Sequence, residues 1–322
     1  MKNIFKISFI VFSFLALFYS NAFAFIEFKQ EKDISSDTQD LRGITFKPDG
    51  TIMYVTTDKG ASNIESTIIE YSLSSAFDIS TATKTSETDL DVGGGTIMDK
   101  PHAIEFKPDG KVMYVIRSQS GSVGVEQFNL TTAWDTSTLS HDTSLGIVKI
   151  KDNDEADVQI RAVTFKTDGT RVYIALRDYG RVIQYDLSTP WDISSATNEV
   201  ESNLFTGEED NIRNIQFSSD GTFMYLGGNG GNDINKYKLP TAWDVSTITH
   251  VTSYSISSQT EEMRGFKFTS NFTKLYVTGD VDSTGKNVVY EYNLACAGTI
   301  TCDPINDKDI TATIEANVEL SK

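Results

Sequence analysis

The decamer FKPDGTIMYV, residues 46–55, returns sixty residues later as FKPDGKVMYV, residues 106–115. Three more copies follow: FKTDGTRVYI from Phe165, FSSDGTFMYL from Phe217 and the looser FTSNFTKLYV from Phe268. A repeat every 50 to 60 residues constrains the fold more than any other feature, because a unit of that length built from strands is a propeller blade. The copies join a short apolar stretch to a second one through a tight turn, with Pro, Asp and Gly in the first two and Asp-Gly in the next two. The second stretch (IMYV and its relatives) is rich in β-formers. A third strand ends in an aromatic, as in IIEYSL, VEQFNL, VIQYDL, INKYKL and VYEYNL. An alternating segment such as HVTSYSIS then supplies a fourth strand, and four antiparallel strands make one blade.

Between the third and fourth strands lies SAFDIST, TAWDTST, TPWDISS or TAWDVST. All three tryptophans, Trp134, Trp191 and Trp243, occupy this position, with Phe77 in the first copy. They read as packing residues of the turn, with Asp135, Asp192 and Asp244 as its caps. The fifth unit has no such turn. Its missing fourth strand is found at the other end of the chain, where FIEFKQEKDISSDTQDLRG parallels HVTSYSISSQTEEMRG of unit four. The expected fold is therefore an all-β, five-bladed propeller of four-stranded antiparallel blades, closed by the N-terminal strand. The repeats lie near 36–95, 96–155, 156–207, 208–258 and 259–295, completed by the strand 25–35. Residues 296–322 form a tail that admits a short helix through Ile310, Ile314 and Val318.

Residues 1–24 carry Lys2 and Lys6, an apolar run and Ala22-Phe23-Ala24, the marks of a cleaved secretory signal. Its removal would take the formal charge from −17 to about −19. So acidic a chain lacks the basic footprint of a nucleic-acid binder. An exported, monomeric protein is expected, in the periplasm, at the cell surface or released. Export permits a disulfide between Cys296 and Cys302, closing a small loop.

The motif F-x-x-D-G-x-x-[ML]-Y-V resembles that of bacterial secreted propeller repeats of the YVTN or lactonase-like group, and distantly NHL and WD40 blades. The resemblance covers roughly residues 25 to 295 and implies the fold. Enzymes of the lactonase-like group use acidic, Asn and His residues around the channel, often with a metal. No such set can be matched here residue by residue, so the resemblance carries no activity over.

Alignment on the repeat Phe places Arg42, His102, Arg161, Arg213 and Arg264 at one position, four residues earlier. These predict a ring on the innermost strands at one mouth of the channel. Just before them stand Asp40, Asp99, Asp157, Asp210 and Glu262. Arg and carboxylate suit structural ion pairs between blades. They equally suit a mouth that holds an anion or a sugar acid, and His102 breaks the symmetry. A loop from Asp280 through Asp282 to Glu291 has calcium-loop spacing, although Glu291 has a plain repeat equivalent in Glu70. No cofactor is otherwise implied, calcium remaining open. His141 and His250 fall near outer strands, as surface residues. No serine elbow, phosphate loop or paired-His metal motif occurs. The reading favoured from sequence is a non-enzymatic propeller that binds a protein, carbohydrate or small anion at this face, with no catalytic residue assigned. The alternative is a hydrolase or lyase acting on a sugar or lactone there.

Overall fold

The computed structural model describes residues 24–58, 66–91, 100–119, 122–142, 159–177, 180–203, 211–281 and 285–296. The expected signal segment up to residue 23, the tail from residue 297, and Asp99, Asp157, Asp210, Asp282 and Cys302 lie outside the described residues. Five four-stranded antiparallel sheets form five blades in a ring. Blade one holds β2 (Leu41–Phe46), β3 (Ile52–Thr57), β4 (Thr67–Leu73) and β5 (Ala82–Asp89). Blade two holds β6 (Pro101–Phe106), β7 (Val112–Gln119), β8 (Ser122–Leu130) and β9 (Leu139–His141). In blade three are β10 (Ile160–Phe165), β11 (Arg171–Leu176), β12 (Arg181–Leu187) and β13 (Ala196–Glu201). Blade four is β14 (Ile212–Phe217), β15 (Phe223–Gly228), β16 (Asp233–Lys238) and β17 (Thr249–Ser255). Blade five takes β18 (Glu262–Phe268), β19 (Lys274–Val281), β20 (Lys286–Cys296) and, as its outer strand, the N-terminal β1 (Ala24–Asp33). The first strands β2, β6, β10, β14 and β18 neighbour one another around the axis.

The repeated decamer is the joint between blades. Its glycine adopts a left-handed conformation (Gly110, φ 71°) that an L side chain resists. A Cβ there would sit 2.3 Å from the Trp134 indole, so the ring can lie directly on the turn. Trp134 itself is held at φ 65°, and its N–H bonds the Gly110 carbonyl at 2.9 Å. The outward-turned Trp134 carbonyl then accepts the Tyr54 hydroxyl of the preceding blade at 2.6 Å. Tyr173 bonds the carbonyl of Trp243 at 2.7 Å, and Tyr276 that of Phe77 at 2.5 Å; Tyr114 bonds that of Trp191. Asp78, Asp135, Asp192 and Asp244 cap the same turns by accepting backbone N–H bonds two residues on.

Blade five departs from this pattern in two places at once. It has no Trp turn, and Asn271-Phe272 replaces Asp-Gly. Phe272, at φ 51°, stacks on Phe268 at 5.1 Å and meets Tyr225 at 5.6 Å. One ring thus fills the space that a neighbouring tryptophan fills elsewhere.

Closure through β1 adds a buried polar knot. Glu291 is fully buried and accepts Lys274 at 2.6 Å, Gln30 at 2.6 Å, Lys29 at 3.0 Å and the Ile79 backbone N–H at 3.3 Å. These groups come from β20, β19, β1 and the blade-one turn, so the knot fastens both ends of the chain to the first blade. This corrects the calcium-loop expectation for Glu291, whose oxygens are committed elsewhere. Its repeat equivalent, Glu70, similarly accepts the Thr136 backbone N–H of blade two at 2.8 Å.

Burial pushes the Glu291 carboxyl up, but bonds from Lys274, Gln30 and Lys29 outweigh it and hold the pKa below 4.5. A lowered folded pKa means that this stabilisation is complete above about pH 4.5 and is lost as pH falls through the folded value. Glu291→Ala leaves two lysines facing a buried void and is expected to cost about 3 kcal/mol at neutral pH. Glu291→Gln should lower the melting temperature near pH 7 and flatten its fall below pH 4.5. Thermal melts of both variants across pH test this.

Candidate functional site

The mouth of the channel is built by one irregularity used five times. Every innermost strand shifts register at the ring position: between Leu41 and Ile44, Pro101 and Ile104, Ile160 and Ala162, Ile212 and Asn214, and Met263 and Gly265. A bulge of this kind re-aims the side chain it carries. The bulged residues are those aligned by the repeat: Arg42, His102, Arg161, Arg213 and Arg264. Small residues after them let neighbouring strands close in. A Cβ on Gly43 would lie 2.3 Å from the His102 carbonyl oxygen. That carbonyl accepts the Thr56 hydroxyl at 2.6 Å, and the Arg42 carbonyl accepts Thr278 at 2.5 Å.

The ring side chains are buried or nearly so and bond along and across blades. Arg42 pairs with Asp40 and lies 3.7 Å from Asp58. Arg264 holds Glu262 at 3.0 Å, and Arg213 reaches Glu262 only at 3.4 Å. Asn229 donates to Glu262 at 3.1 Å. Arg161 bonds both His102 Nε2 and the Gln159 side-chain oxygen. Arg177 reaches Gln159 at 2.6 Å and Asn211 at 2.7 Å. The sequence reading brings together the ring, Asp40 and Glu262. It misses Gln159, Asn211, Asp58, Arg177 and Asn229. The signal for them was a stricter register. The contacting position is two residues before the ring, which reads Asp40, Lys100, Gln159, Asn211 and Glu262; the second circle stands twelve after the repeat Phe. Asp99, Asp157 and Asp210 are off that register.

Among the described residues the mouth therefore gathers the guanidiniums of Arg42, Arg161, Arg177, Arg213 and Arg264 against the carboxylates of Asp40, Asp58 and Glu262. The buried Nε atoms of Arg42 and Arg213 have no hydrogen-bond partner. Burial, then the charges of Arg264 and Arg177, bring the Arg213 pKa down to about 10. Burial raises the Asp40 pKa more than Arg42 and Arg264 lower it. Burial first, and then Arg161 and the other ring arginines, push His102 well below 6.5. Its neutral Nε2 accepts from Arg161. A hydrolytic site needs such contrasts: fixed positive charge, and a carboxyl with raised proton affinity beside it.

The described residues contain no group of three His, Cys, Asp or Glu side chains able to hold a metal. Calcium needs six or more oxygens, and guanidiniums line this mouth, so the described residues do not fit it. His250 is exposed and bonds Ser253 at 3.0 Å. His141 is half-buried and bonds Glu126 at 2.7 Å, so it is less of a surface residue than expected. Among the described residues no helix is long and apolar enough to cross a membrane.

No family profile matches the sequence, and none of the curated proteins matches it. Solved structures do. The periplasmic gluconolactonase of Pseudomonas aeruginosa is 13% identical, with a TM-score of 0.47 over 76% of this chain and 70% of its own. A luciferin-regenerating enzyme is 13% identical, with a TM-score of 0.49 over 82% and 95%. The calcium-binding regucalcin of Agrobacterium tumefaciens is 13% identical, with a TM-score of 0.48 over 84% and 95%. At these identities the likeness is one of fold alone, that of a propeller. The expectation of a non-enzymatic binding propeller is corrected here, since two of these neighbours are enzymes by name.

Because His102 is neutral in the fold and titrates near 6.5 when unfolded, its burial contributes full stability above pH 6.5 and loses it as pH falls below that. NMR of the imidazole should show no titration of His102 between about pH 8 and about pH 6. His102→Gln should remove part of the stability loss that sets in below about pH 6.5.

Proposed function

We propose that the chain is an exported lactone hydrolase that opens a sugar lactone at the arginine-lined mouth. The observation that carries this reading is the Arg213 guanidinium: buried, weakly paired at 3.4 Å, and crowded by Arg264, Arg177 and Arg42. In the reaction a water oxygen bonds to the lactone carbonyl carbon and gives up a proton. The carbonyl oxygen becomes negative, the ring C–O bond breaks, and the leaving oxygen takes up a proton. Arg213, buried, and Arg264, mostly so, would stabilise the oxyanion without reorganising. Asp40 is the carboxyl suited to accept the proton of water, since burial raises its proton affinity. The product is a carboxylate, which a pair of guanidiniums can grip through paired N–H bonds. Export rests on the signal-like segment at residues 1–24.

Proton release from glucono- and galactonolactones, followed at constant pH with residues 25–322, tests this. The rate should exceed spontaneous opening. Arg213→Met with Arg264→Met should lower kcat/KM by about 100-fold or more, and Asp40→Asn should lower kcat by a similar factor. A rate equal to that of buffer alone for every lactone would falsify the proposal.

A further inference from the structure

The channel is not one compartment. Three residues beyond the arginine ring, the innermost strands carry Thr45, Glu105, Thr164, Gln216 and Lys267. Lys267 of blade five bonds Glu105 of blade two at 2.7 Å. Blades two and five are not neighbours, each flanking blade one. The ion pair therefore reaches across the channel past Thr45 and forms a floor between its two ends. Gln216 adds a second tie, accepting the Phe268 backbone N–H at 2.9 Å.

Beyond this floor, on the face opposite the arginines, lies a bowl of about 360 Å³. The last residues of the inner strands, Phe46, Phe106, Phe165 and Phe268, form its wall, with Trp134 and Trp191 at its sides. It is about 13 Å from the arginine ring, four strand residues away. Its size and aromatic wall are those of a small-molecule site. Its charges are already satisfied. Lys267 and Glu105 neutralise each other, and Lys47 at the rim pairs with Asp49 at 2.8 Å. A charged guest would lose its water without gaining an unpaired counter-ion, whereas a flat apolar ring would gain offset and edge-on contacts with the wall.

We propose that this bowl is a second binding site, separate from the arginine mouth, and that it takes a neutral aromatic compound. The probe pair N-phenyl-1-naphthylamine and 8-anilino-1-naphthalenesulfonate shares one skeleton and differs by a sulfonate. With the mature chain the neutral probe should brighten at a stoichiometry near one and quench tryptophan emission. The sulfonated probe should bind at least about tenfold more weakly. Thr167 and Ser270 line the rim on exposed turns, so Thr167→Phe and Ser270→Phe fill the bowl without touching the core. Each should weaken the neutral probe by about tenfold while the melting temperature holds. No brightening, or undiminished binding in both filled variants, overturns the site. Equal affinity for the two probes overturns the neutral class of ligand.

Discussion

Everything in this molecule hangs on how one blade grips the next. The grip is a tyrosine hydroxyl of one unit bonded to the carbonyl of an aromatic residue in the following unit. That carbonyl is turned outward because the aromatic residue is held at positive φ, as at Trp134 and Trp243. The ring of the same residue lies on a glycine that has no side chain to obstruct it. Gly, Asp, Tyr and Trp are therefore parts of one device, and the chain repeats them together. Where blade five loses the Trp turn it also loses the glycine, and Phe272 fills the gap. The last junction is made by tyrosine again, Tyr276 on Phe77, reinforced by the Glu291 knot with β1.

A ring clamped at its blades can hold strain and charge at its axis. The bulges in β2, β6, β10, β14 and β18 aim one residue each toward the centre, and four of the five are arginine. Several buried guanidiniums at one axis repel one another, and burial first, then that repulsion, brings the Arg213 pKa down to about 10. The clamped scaffold tolerates it, as scaffolds do where a site requires it. An acidic chain thereby presents a concentrated positive centre, suited to an oxyanion or a carboxylate. The Lys267–Glu105 pair lies between the two mouths, and among the described residues these differ in character: arginine-rich on one face, aromatic and charge-paired on the other.

The blade count, the closing strand and the arginine ring were legible in the sequence because each is periodic. Alignment on one phenylalanine suffices to stack Arg42, Arg161, Arg213 and Arg264. The partners were less legible. Acidity alone pointed to Asp99, Asp157 and Asp210, whereas the contacting register carries the neutral Gln159 and Asn211, which look like ordinary loop residues. Arg177 and Asn229 stand, like Asp58, twelve residues after the repeat Phe, but the residue type at that position changes from blade to blade, so only the register marks it. Glu291 matched a metal loop by spacing, but a strand from the far end of the chain brings Lys29 and Gln30 to it, a contact that local spacing cannot register. The transverse pin was hidden for the same reason: Glu105 and Lys267 sit at equivalent positions in blades that are not neighbours.

The central claim is that the arginine mouth, and not the aromatic bowl, receives the lactone and its carboxylate product. A crystal structure of the mature chain grown with D-gluconate tests it most directly. The account predicts the gluconate carboxylate within hydrogen-bond distance of Arg213 and Arg264, at the same mouth as Asp40. Gluconate seated in the aromatic bowl, or an arginine mouth that stays empty at saturating gluconate, would contradict it.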